Sequence, residues 1–319
     1  MKKDVLCAEN AALYEDFLDW QKQRVSKQGF ISVKNRTFRL FKYLEKRRIS
    51  PQIFTVEDAL KYKTFVSEKL TKKGKKVTVG TCCNSLKNAR CFFNFLVISG
   101  RRESNPFLAV PLPSLGEHIS RNVLTEAQMN RLLGELRHFT DIKSYRVHVL
   151  SELLYSTGMR IAEAASLLPK DIDLKRRLVQ VQQGKGGKSR MAFLTGYAAT
   201  VLSYYKKTGR KAVIRSHRGK RKKSQSLFTV DYPRLQDALN STLRETCGRL
   251  KIPVITSHGF RHSLGTHLLR SGCDIRYIQV ILGHEKLETT QIYTHVNKDD
   301  LKKSLDTYHP RSKIKEGVR

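Results

Sequence analysis

Three prolines and one glycine fall within the fourteen residues NPFLAVPLPSLGEH at 105–118. Each proline fixes its own φ and removes a backbone donor, and no helical or strand period runs through the stretch. Neither a helix nor an interior strand can cross it, so the chain must fold on either side. Read this way, 105–122 is an interdomain linker, 6–104 one domain, 123–309 a second, and 310–319 a basic tail. A chain of 319 residues, 39% of them hydrophobic, has enough material for two such cores.

Before the linker, apolar residues recur at helical spacing. Leu13, Phe17 and Trp20 share one face of a first helix, and Val33, Thr37, Leu40, Phe41 and Leu44 one face of a second. Thr55 with Asp58 opens a third that carries Leu60 and Phe65. A fourth holds Leu86, Phe93 and Leu96 and stops near Gly100. Basic connectors, KRR at 46–48 and KKGKK at 72–76, join them into what should be a helical bundle. After the linker, Thr125 and Gln128 spell the T-x-x-Q capping box of a helix start. A helix over roughly 144–157 ends at Gly158. LVQVQ (178–182), the GKGGK turn and RMAFL (190–194) form a β-hairpin, and helices then resume. The expected fold is mainly α in two domains, a helical bundle followed by an α+β domain with a small antiparallel sheet.

Charge narrows the partner. The chain has 61 Lys+Arg against 28 Asp+Glu, a net +33. Residues 1–110 carry 23 basic and 10 acidic side chains (+13), and residues 123–319 carry 37 and 17 (+20). A positive excess in both halves suits a protein that wraps nucleic acid from two sides. The excess peaks in 206–223, where Lys206, Lys207, Arg210, Lys211, Arg215, Arg218, Lys220, Arg221, Lys222 and Lys223 occur with no acid between them. That run reads as a loop that contacts phosphates. The six cysteines show no C-x-x-C or zinc-type spacing and read as reduced packing residues. The longest apolar run, CFFNFLVI at 91–98, is too short to span a bilayer, and no apolar core follows Lys2 and Lys3 as in a signal peptide. A cytoplasmic protein with no membrane partner is expected.

Five short pieces concentrate polar residues where helices or turns begin: TGMRIAE (157–163), GKGGKSR (184–190), HGFRH (258–262), LGH (282–284) and Tyr293. Singly, each is ordinary. Together they supply two arginines, a lysine, two histidines and a tyrosine, which is what attack on a phosphodiester by a side chain requires. Paired guanidiniums stay charged and fork onto the non-bridging oxygens. A lysine can protonate the leaving oxygen. A tyrosine becomes a nucleophile once histidine and nearby positive charge ease its ionisation. The polar neighbours Thr289, Thr290, Gln291, Thr294 and His295 argue against a core role for Tyr293. His258 and His262 have i, i+4 spacing, but HGFRH lacks the glutamate of a zincin and puts an arginine beside them, so no metal is expected.

This set resembles the tyrosine recombinases (the phage-integrase family), and most closely the Xer-type members. The family order of Arg, Lys, His-x-x-Arg, His or Trp, then Tyr is matched by Arg160, Lys185, His258-Gly-Phe-Arg261, His284 and Tyr293. GFRHSLGTHLLRSG, LGHEKLETTQIYTHV and the closing YHPR look like the family's C-terminal block. The resemblance implies a SAM-like core-binding domain before the linker and a recombinase catalytic domain after it. It implies that Tyr293 forms a 3′-phosphotyrosyl bond, that Arg160 and Arg261 clamp the phosphate, and that Lys185 protonates the leaving 5′ oxygen, with Lys188 as the alternative. His258 would take the tyrosine proton, His284 would hydrogen-bond the phosphate, and Glu163 would orient the site. The activity implied is site-specific recombination through a Holliday junction by a homo-tetramer on paired duplex sites, for a mobile element or for Xer-type dimer resolution. No cofactor, ATP or metal is implied, and an accessory DNA-bending or directionality protein is compatible with it. Two other readings stay open. LRSGCDIRYIQVILGH (269–284), with Gly272 at the corner and Asp274 as N-cap, fits the helix–turn–helix of a non-catalytic regulator. A type IB topoisomerase would share the cleavage chemistry.

Overall fold

The computed structural model describes residues 6–25, 27–71, 74, 76–114, 123–182, 190–216, 225–283 and 298–313. The chain divides into two compact units, Met1–His118 and Ile119–Arg319.

In the first unit, α1 (Ala8–Lys22), α2 (Lys27–Arg47), α3 (Val56–Glu68) and α4 (Val79–Ile98) surround an aromatic core. Phe17, Phe41, Phe92 and Phe93 are fully buried, and Phe41 meets Phe92 edge to face with ring centroids 5.0 Å apart. Thr55 and Asp58 close the expected capping box at the start of α3. The face of α3 differs from expectation. Leu60 and Phe65 stay exposed while Ala59, Tyr62 and Val66 turn inward: Tyr43 touches both Tyr62 and Phe65, at 5.0 and 4.9 Å, but Tyr62 also docks on buried Phe107 with centroids 5.9 Å apart. The proline-rich segment is also less of a free linker than its composition suggests. Pro106–Leu108 forms a 3₁₀ turn, Phe107 and Val110 enter this core, and Arg90 donates to the carbonyls of both.

The second unit begins with α5 (Glu126–Leu136), capped by Thr125 and Gln128 as expected, and α6 (Ile142–Thr157), which is buried from Arg146 to its end. A short α7 (Ile161–Ser166) leads into a three-stranded antiparallel sheet, β1 (Ile172–Asp173), β2 (Leu178–Val181) and β3 (Arg190–Phe193). The hairpin strands pair from Leu178↔Phe193 to Val181↔Arg190, and β1 adds an edge strand that two residues could not announce in sequence. Helices α8 (Gly196–Tyr204), α9 (Arg210–Ser216), α10 (Tyr232–Leu250), α11 (Ser257–Arg270), α12 (Ile275–Leu282) and α13 (Lys298–Tyr308) complete it.

Two boundaries move. The basic run at 206–223 is not a loop from end to end. Tyr205–Gly209 forms a π turn that carries α8 into α9, since Tyr205 is buried between Tyr145 and Phe228 and Gly209 lies under the Tyr145 ring. Lys206 Nζ donates to the Pro169 carbonyl at 2.8 Å, and Arg210 donates to that of Gln225. Arg218, Lys220, Arg221, Lys222 and Lys223 lie outside the described residues. At the other end, the first residues of the expected tail are packed. Pro310–Lys313 forms a 3₁₀ turn, and the buried Arg311 pairs with Glu152 on α6. Among the described residues no helix is long and apolar enough to cross a membrane.

Candidate active site

The site is built where α6 ends. Gly158 closes that helix in the left-handed conformation, φ +60°, and a Cβ there would lie 2.5 Å from Leu282 Cδ2 and 3.1 Å from Leu264 Cδ2. Only glycine lets the chain turn so tightly under α11 and α12. Two residues on, Arg160 is the N-cap of α7. Glu163, one turn into α7 and buried, accepts the Arg160 backbone N–H through Oε2 at 2.8 Å and its Nη1 through Oε1 at 3.1 Å. The same carboxylate thus caps the start of α7 and holds the arginine's head.

Arg261 approaches from α11. Its helix starts at Thr256, whose hydroxyl accepts from Gly259, so His258 sits in the first turn, partly open to solvent between buried Ser257 and Gly259, and Arg261 falls on the buried face. Arg261 Nη1 donates to the Gly158 carbonyl at 2.7 Å, while Nη2 is buried with no hydrogen-bond partner. Burial, together with Arg160 and Arg190 nearby, pushes the Arg261 guanidinium down to about 10, which leaves it charged at neutral pH. A buried cation with an unmet donor, beside a second guanidinium, is an anion site in waiting. His258 is pushed below the ordinary histidine value by burial, by His262 and by the Arg160 and Arg261 charges. It is therefore neutral at pH 7 and able to accept a proton.

One participant was not anticipated. Arg190, the first residue of β3, donates through Nη2 to Glu163 Oε2 at 2.8 Å. Burial works against the charge on Glu163, but Arg190 and the hydrogen bonds from Arg160 outweigh it and hold the carboxyl below its usual range. Arg190 is the last letter of GKGGKSR; only its place at the head of an otherwise apolar strand hinted at an inward-facing role. Lys185, Lys188, His284 and Tyr293 lie outside the described residues. The ends of their segments, however, converge. Arg190 directly follows 183–189, and Gly283, which directly precedes 284–297, packs against the Arg190 side chain. Arg160, Glu163, His258 and Arg261 are thus brought together, and the described flanks of the other residues end beside them.

The remaining features sort by contact. His267 is structural: its Nε2 donates to the Leu124 carbonyl at 2.8 Å, which leaves Nδ1 to accept from Tyr155 Oη at 2.7 Å. The expected helix–turn–helix is present as α11, a turn at Gly272 with φ +88°, and α12 capped by Asp274. Its second helix buries Ile278, Ile281 and Leu282 in the core. Of the cysteines, Cys82, Cys83, Cys247 and Cys273 are buried, whereas Cys7 is exposed, so packing does not account for all six. Among the described residues no group of three His, Cys, Asp or Glu is placed to hold a metal ion.

Residues 122–300 match the family model of the Phage integrase family. Tyrosine recombinase XerC 2 of Ralstonia nicotianae is 34% identical over 250 residues, covering 77% of this chain and 70% of that protein. Tyrosine recombinase XerD of Pasteurella multocida is 31% identical over 315 residues, 95% of this chain and 99% of the relative. Among solved structures, the Tn1549 transposon integrase in complex with circular intermediate DNA superposes with a TM-score of 0.63 at 18% identity, over 93% of this chain and 98% of that one. A lambda integrase dimer bound to a COC′ core site gives 0.64 at 13% identity, over 97% and 98%. At such identities the structural likeness is one of fold.

Proposed function

The chain belongs to the phage integrase family and is a site-specific tyrosine recombinase, and on that premise we propose that it exchanges DNA strands through a phosphotyrosyl intermediate formed by Tyr293. In the proposed step the Tyr293 phenolic oxygen forms a bond to the scissile phosphorus and the bond to the 5′ oxygen breaks. The phenolic proton passes to neutral His258, and the leaving oxygen takes a proton from Lys185, or from Lys188 in its place. Arg160 and Arg261 receive the phosphate, and His284 adds a hydrogen bond to it. Because one phosphate ester replaces another, no nucleotide hydrolysis is needed. The freed 5′ hydroxyl then attacks a partner's phosphotyrosine, and two such exchanges pass through a Holliday junction.

The observation that carries this reading is the buried Arg261 guanidinium, fixed through Nη1 to Gly158 with Nη2 unmet, beside an Arg160 held by Glu163. The helical first unit is proposed to contact the duplex as well, which its +13 excess over 1–110 favours. A homo-tetramer on two duplex sites is proposed because both strands of both duplexes are cut, four cleavages made two at a time, and an accessory DNA-bending protein fits the same assembly. Integration and excision of a mobile element is the role we favour, since the basic run at 206–223 is longer and more basic than a compact Xer-type protein would need.

Covalent capture tests this. The protein is mixed with genomic fragments in low salt, quenched with detergent, and the attached DNA is sequenced, for wild type and Tyr293→Phe. Adducts through the 3′ phosphate with wild type alone are the expected result. Defined binding without any adduct, even on nicked duplexes that trap the intermediate, would turn the reading to a non-catalytic regulator.

A further inference from the structure

Glu163 helps the proposed phosphate clamp and harms it at once. It steadies Arg160, yet its charge cancels one of the two positive charges that Arg160 and Arg261 bring to a phosphate. Arg160, Arg261 and Glu163 alone sum to +1. With Arg190, whose Nη2 lies 2.8 Å from Glu163 Oε2, the cluster sums to +2. A phosphodiester carries one negative charge, and attack by a phenolate brings a second into the five-coordinate transition state. Each positive charge lost from the site weakens its hold on that state.

We propose that Arg190 is a positioning residue of this site, which fixes Glu163 and offsets its charge so that Arg160 and Arg261 meet the phosphate with both of their charges. The proposal rests on the recombinase reading above. Burial makes the effect large: the side chains of Glu163 and Arg190 are only 4% and 17% exposed, so water screens the pair weakly. Packing alone does not explain Arg190. Its Nε and Nη1 are buried without a partner, a cost that an apolar strand residue would avoid. The neighbouring backbone is shaped around it as well. Gly283 has φ +66°, and a Cβ there would lie 2.8 Å from Arg190 Cδ and 2.9 Å from Nε.

The test uses the full chain on a nicked duplex carrying the site found by covalent capture, with either a phosphodiester or a methylphosphonate at the scissile position. The methylphosphonate removes one negative charge and leaves the shape nearly unchanged. Arg190→Gln should bind DNA as wild type does and form adduct about 100-fold more slowly on the phosphodiester. On the methylphosphonate its deficit should shrink to less than about tenfold, because that transition state needs less positive charge. Adding Glu163→Gln restores the sum to +2, and the double variant should recover at least about tenfold over Arg190→Gln. Arg190→Lys, which keeps the charge, serves if the Gln variant melts early, and should outpace a Met variant by about tenfold or more. Equal deficits on the two substrates, or wild-type rates in Arg190→Gln, or a Lys variant no better than Met, would overturn the proposal. No adduct from wild type on either substrate would instead overturn the recombinase reading, and this proposal with it.

Discussion

Arg261 Nη1 lies 2.7 Å from the carbonyl oxygen of Gly158, a hydrogen bond spanning 103 residues that ties α11 to the end of α6. It fixes the plane of the guanidinium and so the direction of the unmet Nη2. A lysine reaching the same carbonyl would have spent its one charged atom there, with no second nitrogen held in a rigid fork. Arg261→Lys and Arg261→Ala should both lower the rate of adduct formation by about 10²-fold or more while duplex binding changes little. Single-turnover assays on nicked substrate, with gel-shift titrations beside them, read both quantities. Normal cleavage in Arg261→Lys would remove the clamp from the mechanism.

Gly158 is the other half of that bond. A methyl group here faces a left-handed φ of +60° and a 2.5 Å approach to Leu282 Cδ2. Gly158→Ala should lose about 2–4 kcal/mol of stability, measured by urea denaturation, from backbone strain and overpacking together. Its activity should fall further than its stability does, since the carbonyl that aims Arg261 moves with it.

His258 gives the reaction an acid limb. Its folded value is held below the ordinary ~6.5, so the neutral base form prevails at pH 7. The sign follows: as pH falls through the lowered value the imidazole protonates, can no longer take the phenolic proton, and the cleavage rate drops. Rate profiles from about pH 5 to about pH 8 should be flat near neutrality and decline only below ~6.5. In His258→Gln that decline should vanish along with most of the rate. An acid limb unchanged in the variant would assign the titration to another group.

How far this site could be read in advance depended on the range of each contact. Arg160, Glu163, His258 and Arg261 declare themselves within short motifs at helix starts, where a cap, an i+3 carboxylate and a polar first turn are local events. Arg190 does not, because its partner Glu163 lies 27 residues away and is reached only through the Val181↔Arg190 register. In a chain with 61 basic residues one more arginine attracts no notice. The same distinction explains the fold. Capping boxes at Thr55 and Thr125 were legible, whereas the face of α3 was not, since both Leu60/Phe65 and Tyr62/Val66 suit a helix until Phe107, which Tyr62 reaches, chooses between them. Composition misled at 206–216 for a related reason. Positive charge suggested a loop, but Tyr205 and Gly209, four apart, anchor a helical turn against Tyr145.

The basic run should show itself in salt dependence. Residues 217–224 contain five Lys/Arg and follow α9, so their deletion spares the helix that a longer cut would remove. If the run meets the backbone of DNA, the deletion should weaken duplex binding and flatten the plot of log affinity against log salt by about 0.9 for each phosphate that the run neutralises. Fluorescence anisotropy across a salt series measures that slope. An unchanged slope would remove 217–224 from the DNA-contacting surface.

Arg311 lies beyond the expected end of the catalytic domain, yet it is tied into α6. Its Nε donates to Glu152 Oε2 at 3.2 Å, its Nη2 reaches Oε1, and its guanidinium stands 4.4 Å over the Tyr197 ring. Beside it, buried His309 accepts the Arg311 backbone N–H and donates to the Tyr155 carbonyl. Burial pushes Glu152 up to about 7 even with Arg311 opposite and the Arg137 charge helping, so the carboxylate depends chiefly on Arg311. Arg311→Ala leaves it stranded and should cost about 3–5 kcal/mol. Without the arginine Glu152 ionises still less readily in the folded state, which then binds a proton that the unfolded chain releases. The deficit relative to wild type should therefore stay level in the acid range and widen as pH rises above about 7, where wild type ionises Glu152 and the variant does not. Combining Glu152→Gln with Arg311→Met should recover much of the loss and abolish that pH dependence, as urea titrations across the pH series would reveal. A deficit in Arg311→Ala that stays constant with pH would trace the loss to the Tyr197 contact instead of the ion pair.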